Sequence, residues 1–277
     1  MEPNNGSGRL AGKVAIVTGG GAREGTELGT GRASAVAMAR EGARVLVADL
    51  HQENAERTVA EIRAEGGEAE AFAADVSQSE QCAAMAAAAV ERFGALHVLM
   101  NNCGAGGTSG TVSGMDEAIL ERSLNVNLKS AIFSSKHAIP HMAAAGGGSI
   151  INVSSVDGLT AGMMTNAPYG IAKGALHMLT KTTAVYHGRE GIRANCIAPG
   201  HLHAAFTDKF PDRTRDLRRR AGPLGTEGTA WDIAWTAVFL ASDEARWISG
   251  VVLPVDGGLL AAAPLTAYAY LEDVKYL

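Results

Sequence analysis

The sequence is poor in aromatic residues, which make up 5% of its 277 positions, and it has only three cysteines and eight prolines. An odd number of thiols, at Cys82, Cys103 and Cys196, suggests neither a disulfide framework nor a zinc site. Their expected role is small apolar packing in a reducing cytoplasm. No apolar run approaches the roughly 20 residues that a membrane-spanning helix needs. Basic residues are in deficit, with 24 Lys and Arg against 29 Asp and Glu and a net charge of −5, which argues against a nucleic-acid or anionic-membrane partner. The polar start, Met1 to Arg9, lacks the apolar core of a signal peptide and reads as a flexible tail over residues 1–10.

What the chain has in quantity is short apolar runs that end in glycine or a polar residue. Lys13–Thr18 reads as a buried parallel strand, followed by a glycine-rich loop, a helix over about 29–40, and a second strand, Arg44–Asp49. Strand, glycine loop, helix, strand and terminal acid is the plan of a dinucleotide site. The alternation continues with helix 52–65, strand 69–74, helix 78–92 and strand 96–101. Two helical stretches over 116–144, strand 149–154, a helix over 167–188 and strand 192–197 follow. An irregular 200–222 segment, a helix near 229–241 and a strand near 250–255 complete the pattern. The fold expected is α/β, a Rossmann-like doubly wound sheet of about seven parallel strands with helices on both faces. A single domain should cover 11–260, with a C-terminal tail at 261–277 expected to reach a subunit interface.

On the 167–188 helix, Tyr169 and Lys173 are i and i+4 and so share a face. An ammonium beside a phenol favours the phenolate and lowers its pKa toward the range useful for proton transfer. The pair alone is equally an ordinary helical Tyr/Lys neighbour. What distinguishes it is the set of stretches around it: Thr18-Gly19 with Gly29-Thr30-Gly31, Asp75-Val76, Asn101-Asn102-Cys103-Gly104, Val126-Asn127-Leu128, Ser154-Ser155, Tyr169-x-x-x-Lys173 and Pro199-Gly200.

In that order, and over about Arg9 to Gly258, these stretches resemble the short-chain dehydrogenase/reductase family. The resemblance implies hydride transfer between a nicotinamide cofactor and a secondary alcohol or its ketone. Tyr169 would be the general acid/base, Ser155 the hydroxyl that polarises the substrate oxygen, and Lys173 the residue that lowers the tyrosine pKa and holds the nicotinamide ribose. Asn127 would anchor a water leading to solvent. Gly19, Gly29, Thr30, Gly31, Asp49, Asp75, Val76, Asn102, Gly104, Pro199 and Gly200 would join Tyr169 and Lys173 around the cofactor. Asp75 also suits a plain helix cap, and Asn101 and Asn102 suit bracing of the sheet. Asp49, at the end of the second strand, accepts from a ribose diol and repels a 2′-phosphate, so NAD is expected rather than NADP. The family also implies a homotetramer or homodimer in the cytoplasm, with no metal.

Three departures stand out. The family pattern Thr-Gly-x-x-x-Gly-x-Gly has three residues between its first glycines, whereas here Gly20 to Leu28 places nine, a surplus of six. They are read as looping outward, with a flap over the pyrophosphate, or weakened cofactor binding, as alternatives; Arg23 among them is the residue that could favour NADP. Where the family has a Thr four residues past Gly200 this chain has Ala204, with His203 or Thr207 as substitutes. His201-x-His203 lacks an evident third metal ligand. Together with Ser155, the substrate pocket is assigned to Met163, Met164, Leu202, His203 and Phe206. The charged run Asp212–Arg220 lies in the 200–222 segment where the family has a substrate lid, and is either a solvated helix face or a site for an anionic substrate. Two rival functions remain open at this level: a lyase or dehalogenase-like enzyme on the same fold without redox chemistry, and a non-catalytic cofactor-binding scaffold.

Overall fold

Apolar, β-branched runs dictate the centre of the molecule. In the computed structural model, which describes residues 8–106, 110–162 and 165–271, Val14–Thr18 forms strand β1 with all five residues buried. It pairs in parallel with β2 (Arg44–Asp49) on one side and β4 (Val98–Asn101) on the other, in registers Val14↔Arg44 and Ala15↔Val98. With β3 (Ala69–Ala73), β5 (Gly148–Val153), β6 (Ile192–Pro199) and β9 (Val252–Val255), these strands make a seven-stranded parallel sheet. Its order is β3-β2-β1-β4-β5-β6-β9. A two-residue pairing of β7 (Leu202–His203) with β8 (Gly228–Thr229) lies apart from it.

Helices cover both faces, as a sheet buried on both sides demands. On one face α1 (Thr30–Arg40), α2 (Gln52–Ala64) and α8 (Ala230–Ala241) bury Val36, Ile62 and Ile233 against β1 and β2. On the other, α3 (Ser79–Phe93) and α5 (Ser130–Ala144) pack Met85 and Met142 against Leu99 and Ile150. The short α4 (Glu117–Leu124) runs into α5 through a π-helical turn, Asn125–Lys129, and lies beside α6 (Ala167–Tyr186). Strand order reverses between β1 and β4, so their carboxyl ends open the crevice in which such sheets bind ligands.

Three boundaries differ from expectation. Leu10 is fully buried and its N–H donates to Glu41 O, so the domain begins before residue 11. Within 200–222 a helix, α7 (Asp212–Ala221), replaces the irregular reading. The segment expected as a tail contains α9 (Pro264–Leu271), and the Leu271 carbonyl accepts from Arg220 at 2.5 Å, which ties it to its own chain; residues 272–277 lie outside the described residues. Cys82 and Cys196 are buried free thiols, and Cys103 is half-buried.

Candidate active site

The glycine turn after β1 is held by Thr18 at the end of β1 and by Asn102 just past β4. The Thr18 hydroxyl accepts from the N–H groups of Asn102 and Cys103 at 3.1 and 3.2 Å. The Asn102 amide donates to the carbonyls of Thr18 and Gly19 at 3.1 and 3.2 Å and accepts from Thr30 at 2.7 Å. Asn101 braces the sheet through Asn152 and Ser135. Gly19 has φ +61°, a conformation that favours glycine. A Cβ on Gly31 would lie 2.1 Å from Gly19 O and 2.4 Å from Asn102 Nδ2. Helix α1 then starts at Gly29 with no side-chain cap and no acid in its first turn, leaving its N–H groups and positive dipole end free for a diphosphate. These features fit the pyrophosphate of a dinucleotide.

Asp49 closes the other side of the turn. Its carboxylate accepts from the N–H groups of Gly21 and His51, both at 3.1 Å, and a Cβ on Gly21 would stand 2.6 Å from Asp49 Oδ2. Asp75 caps a turn, accepting from the Ser77 N–H at 3.0 Å and from its hydroxyl at 2.7 Å, while Val76 is buried. The long loop is pinned at both legs. Ala22 N–H donates to Asn54 O at 2.9 Å, Arg57 reaches Ala22 O and Glu24, and at the far leg Glu27 lies 3.6 Å from His203 Nε2 and Leu28 O accepts from Ala205 N–H at 3.4 Å. The tip, Arg23 to Gly25, is exposed. The insert therefore points outward at its tip, yet bridges α2 and the 203–205 segment.

The second cluster gathers at the ends of β4 and β5. Ser154 is buried and bonds inward, to Lys173 O at 2.8 Å and His177 Nε2 at 2.9 Å. Ser155 caps a 3-10 turn, Val156–Gly158, accepting from Asp157 N–H at 3.1 Å, and its hydroxyl also reaches Tyr169. Pro168 lies in the first turn of α6, just before Tyr169, where its missing N–H costs nothing. Lys173 is buried, its Nζ donating to Val153 O at 2.8 Å and lying 5.7 Å from the Tyr169 ring centroid. A Cβ on Gly104 would meet Lys173 Nζ and Asn127 Oδ1, each at 3.2 Å. From the π turn Asn127 accepts from Ala105 N–H at 3.0 Å and donates to Ala105 O at 3.0 Å and Ser123 O at 3.1 Å, latching the loop after β4. Phe206 packs on Tyr169 with ring centroids 6.1 Å apart and approaches Gly106, where a Cβ would lie 3.0 Å from its ring.

Several expectations are corrected. The Tyr169 pKa is not lowered; burial pushes it up to about 12, against a hydrogen bond from Ser155. Burial also brings Lys173 down to about 8. Leu202, assigned to the pocket wall, is packed in the core because β7 pairs with β8; a Cβ on Gly228 would lie 2.8 Å from its side chain. His203 turns to Glu27, and its Nδ1 is buried without a hydrogen bond. Thr207 spends its hydroxyl on Leu202 O and Ala204 O, at 2.7 and 3.2 Å, so it does not replace the missing threonine. His201 turns to Arg218 O at 2.9 Å, away from the partner of His203. The charged run is an internally paired helix: Arg218 meets Glu227 and Leu202 O, Arg219 meets Asp216, and Arg220 meets Asp216 and Leu271 O. Pro199 ends β6, and a Cβ on Gly200, which follows it, would lie 2.5 Å from Asp256 Cα. Met163 and Met164 lie outside the described residues. Asp157 was missed, although an acid two residues past Ser155 was a visible signal; the loop anchors Asn54 and Arg57 carry no local signal.

A family model described as enoyl-(acyl carrier protein) reductase matches residues 25–260. A 2,5-dichloro-2,5-cyclohexadiene-1,4-diol dehydrogenase of Sphingobium indicum is 40% identical over 90% of this chain and 97% of its own length. A cyclohexanol dehydrogenase of Acinetobacter sp. is 34% identical over 91% of this chain and 96% of its own. A 3-alpha-(or 20-beta)-hydroxysteroid dehydrogenase of Mycobacterium bovis is 38% identical over 96% of both chains. Among solved structures, a short-chain dehydrogenase/reductase from Burkholderia xenovorans superimposes with a TM-score of 0.88 at 36% identity, over 93% of this chain and all of that one.

Proposed function

The chain belongs to the short-chain dehydrogenase/reductase family and is an oxidoreductase, and on that premise we propose that it is an NAD-dependent dehydrogenase of cyclic secondary alcohols. The observation that carries this reading is the meeting of Ser155, Tyr169 and Lys173 at the end of β5, next to the glycine cradle of β1. In the oxidative direction Tyr169, which burial holds protonated, passes its own proton on toward Lys173 as it takes the hydroxyl proton of the substrate, while Ser155 hydrogen-bonds the same oxygen. Bound NAD supplies the acceptor for the hydride that leaves the carbinol carbon. Lys173, titrating near 8, holds the nicotinamide ribose and relays the proton. Asn127 fixes the Gly104–Ala105 loop against that ammonium and anchors the water through which it reaches solvent.

Gly19, Gly29, Thr30 and Gly31 take the pyrophosphate, Asp49 the adenosine ribose, and Asp75, Val76 and Asn102 the adenine side. The preference for NAD rests on the carboxylate of Asp49, already turned toward two backbone donors. A cyclic substrate is supported by the diol, cyclohexanol and hydroxysteroid dehydrogenases among the relatives, and by the Phe206 ring over Tyr169. Among the described residues no helix is long and apolar enough to cross a membrane. A cytoplasmic homotetramer or homodimer is part of this reading, supported by the exposed apolar residues Ile171, Met178, Val185 and Tyr186 along α6.

The test is titration of the purified protein with NADH and NADPH by tryptophan fluorescence, followed by oxidation of cyclohexanol and a hydroxysteroid with each oxidised cofactor. NADH binding tighter than NADPH, with turnover of a ring alcohol, is the expected result. Binding of neither cofactor defeats the reading.

A further inference from the structure

Beside the groups already assigned lies a carboxylate that the reaction does not use. Asp157 lies two residues past Ser155, in the 3-10 turn packed on the first turns of α6; a Cβ on Gly170 would stand 2.9 Å from Asp157 O. Its backbone N–H is spent on Ser155. Its carboxylate is half-buried and turned to the loop at Gly162, where a Cβ would lie 2.2 Å from Oδ1. Among the described residues it has no hydrogen bond or ion pair. It is near enough to Tyr169, His201 and Arg218 for their charges to act on one another.

The neighbours do not satisfy it. Arg218 is committed to Glu227 at 3.4 Å and Leu202 O at 3.2 Å, with its guanidinium over Phe210. His201 Nδ1 faces the Arg218 carbonyl, so that nitrogen carries the hydrogen and Nε2 is left as a second acceptor. Burial lowers the pKa of this imidazole. The Asp157 oxygens keep contact with solvent, and an apolar ring seated over them would displace that water without returning a donor. A cationic substrate is disfavoured by Arg218 close by. The complementary group is a neutral donor.

We infer that Asp157 is a specificity residue that accepts a hydrogen bond from a second hydroxyl of the substrate, so that the enzyme selects ring diols over simple ring alcohols. This rests on the reading of the chain as a ring-alcohol dehydrogenase. Phe206 covers the apolar face of the ring while Ser155 and Asp157 receive its two polar edges.

The experiment compares kcat/KM for cyclohexanol and the isomeric cyclohexanediols, with NAD, in the parent and in Asp157→Asn and Asp157→Ala. An NADH titration of each variant establishes that the cofactor site is intact. At least one diol should exceed cyclohexanol by about tenfold or more in the parent, as expected where a site is built to hydrogen-bond a hydroxyl. That ratio should collapse in Asp157→Ala and be partly kept in Asp157→Asn, whose carbonyl still accepts. A parent that oxidises cyclohexanol as well as every diol, or a ratio unmoved in Asp157→Ala, overturns the inference while leaving the dehydrogenase reading standing. Failure to oxidise any of these alcohols removes that reading, and the inference with it.

Discussion

The Lys173 ammonium lies 5.7 Å from the centroid of the Tyr169 ring and is anchored on the Val153 carbonyl, completely enclosed by protein. Enclosure costs the charged form more than the neighbouring Cys103 and Cys196 return, which brings the lysine from 10.5 down to about 8. The folded protein therefore binds this proton less tightly than the unfolded chain does. Below pH 8 the lysine is protonated in both states and its burial penalty is fully present; stability rises as the pH climbs from about 8 toward 10.5. The penalty is on the order of 3 kcal/mol, from about 1.4 kcal/mol per unit.

Lys173→Met should therefore unfold at a higher temperature than the parent at pH 7, though inactive, and its advantage should shrink between pH 8 and 10.5. Thermal unfolding monitored by circular dichroism across that range measures it. An advantage that does not change with pH would show that the ammonium bears no such penalty.

The two adjacent serines separate structural from chemical effects. Ser154 bonds Lys173 O and His177 inside the protein, so Ser154→Ala should cost about 1–2 kcal/mol of stability for the buried groups left unpaired. Ser155→Ala should cost up to about 1 kcal/mol for the lost cap on Asp157 N–H and lower kcat by about a hundredfold, as loss of one preorganised oxygen-stabilising donor does. Urea unfolding and steady-state rates on both variants decide the assignment. A kcat loss confined to Ser154→Ala reverses it.

Asp49 receives two backbone N–H groups and leaves no side-chain space on Gly21. Asp49→Ala should weaken NADH, leave NADPH unchanged or improved, and narrow the ratio of their dissociation constants by about tenfold, or about 1.4 kcal/mol. Fluorescence titration with both cofactors reads this directly. An unchanged ratio would transfer the choice of cofactor to another group, Arg23 foremost.

Much of this arrangement was legible in the chain. Arg44–Asp49 was read to the residue because continuous apolar runs bounded by polar ends have few alternatives to a buried strand. Tyr169 and Lys173 came together through helical spacing alone. The magnitude of their burial did not, since it depends on β4, β5 and the π turn closing around Lys173, and so the direction of the tyrosine shift was misjudged. Leu202 looked like a pocket residue because it follows Pro199-Gly200; its inward turn depends on Gly228, 26 residues away. Helix α7 lacks an apolar stripe and is held through Arg215 and Arg218 on Glu227, a contact that local pattern does not contain.

The lengthened glycine loop gives the remaining prediction. Removing Ala22 to Glu27, six residues, would leave Thr18-Gly19-Gly20-Gly21-Leu28-Gly29-Thr30-Gly31, the spacing of the family pattern. The excised piece carries the Ala22–Asn54 and Glu27–His203 contacts but none of the glycines around Asn102. Its one side-chain contact to the 203–205 segment, Glu27 with His203, is partly exposed and worth no more than about 1 kcal/mol, so the fold should survive with a small loss of stability. What should change is release of cofactor, because the insert bridges α2 and the segment beside the catalytic cleft. Stopped-flow displacement of bound NADH should show dissociation faster by about threefold or more, the effect of losing roughly 0.7 kcal/mol of closure. An unaltered dissociation rate would reduce the insert to a spacer that only happens to touch both sides.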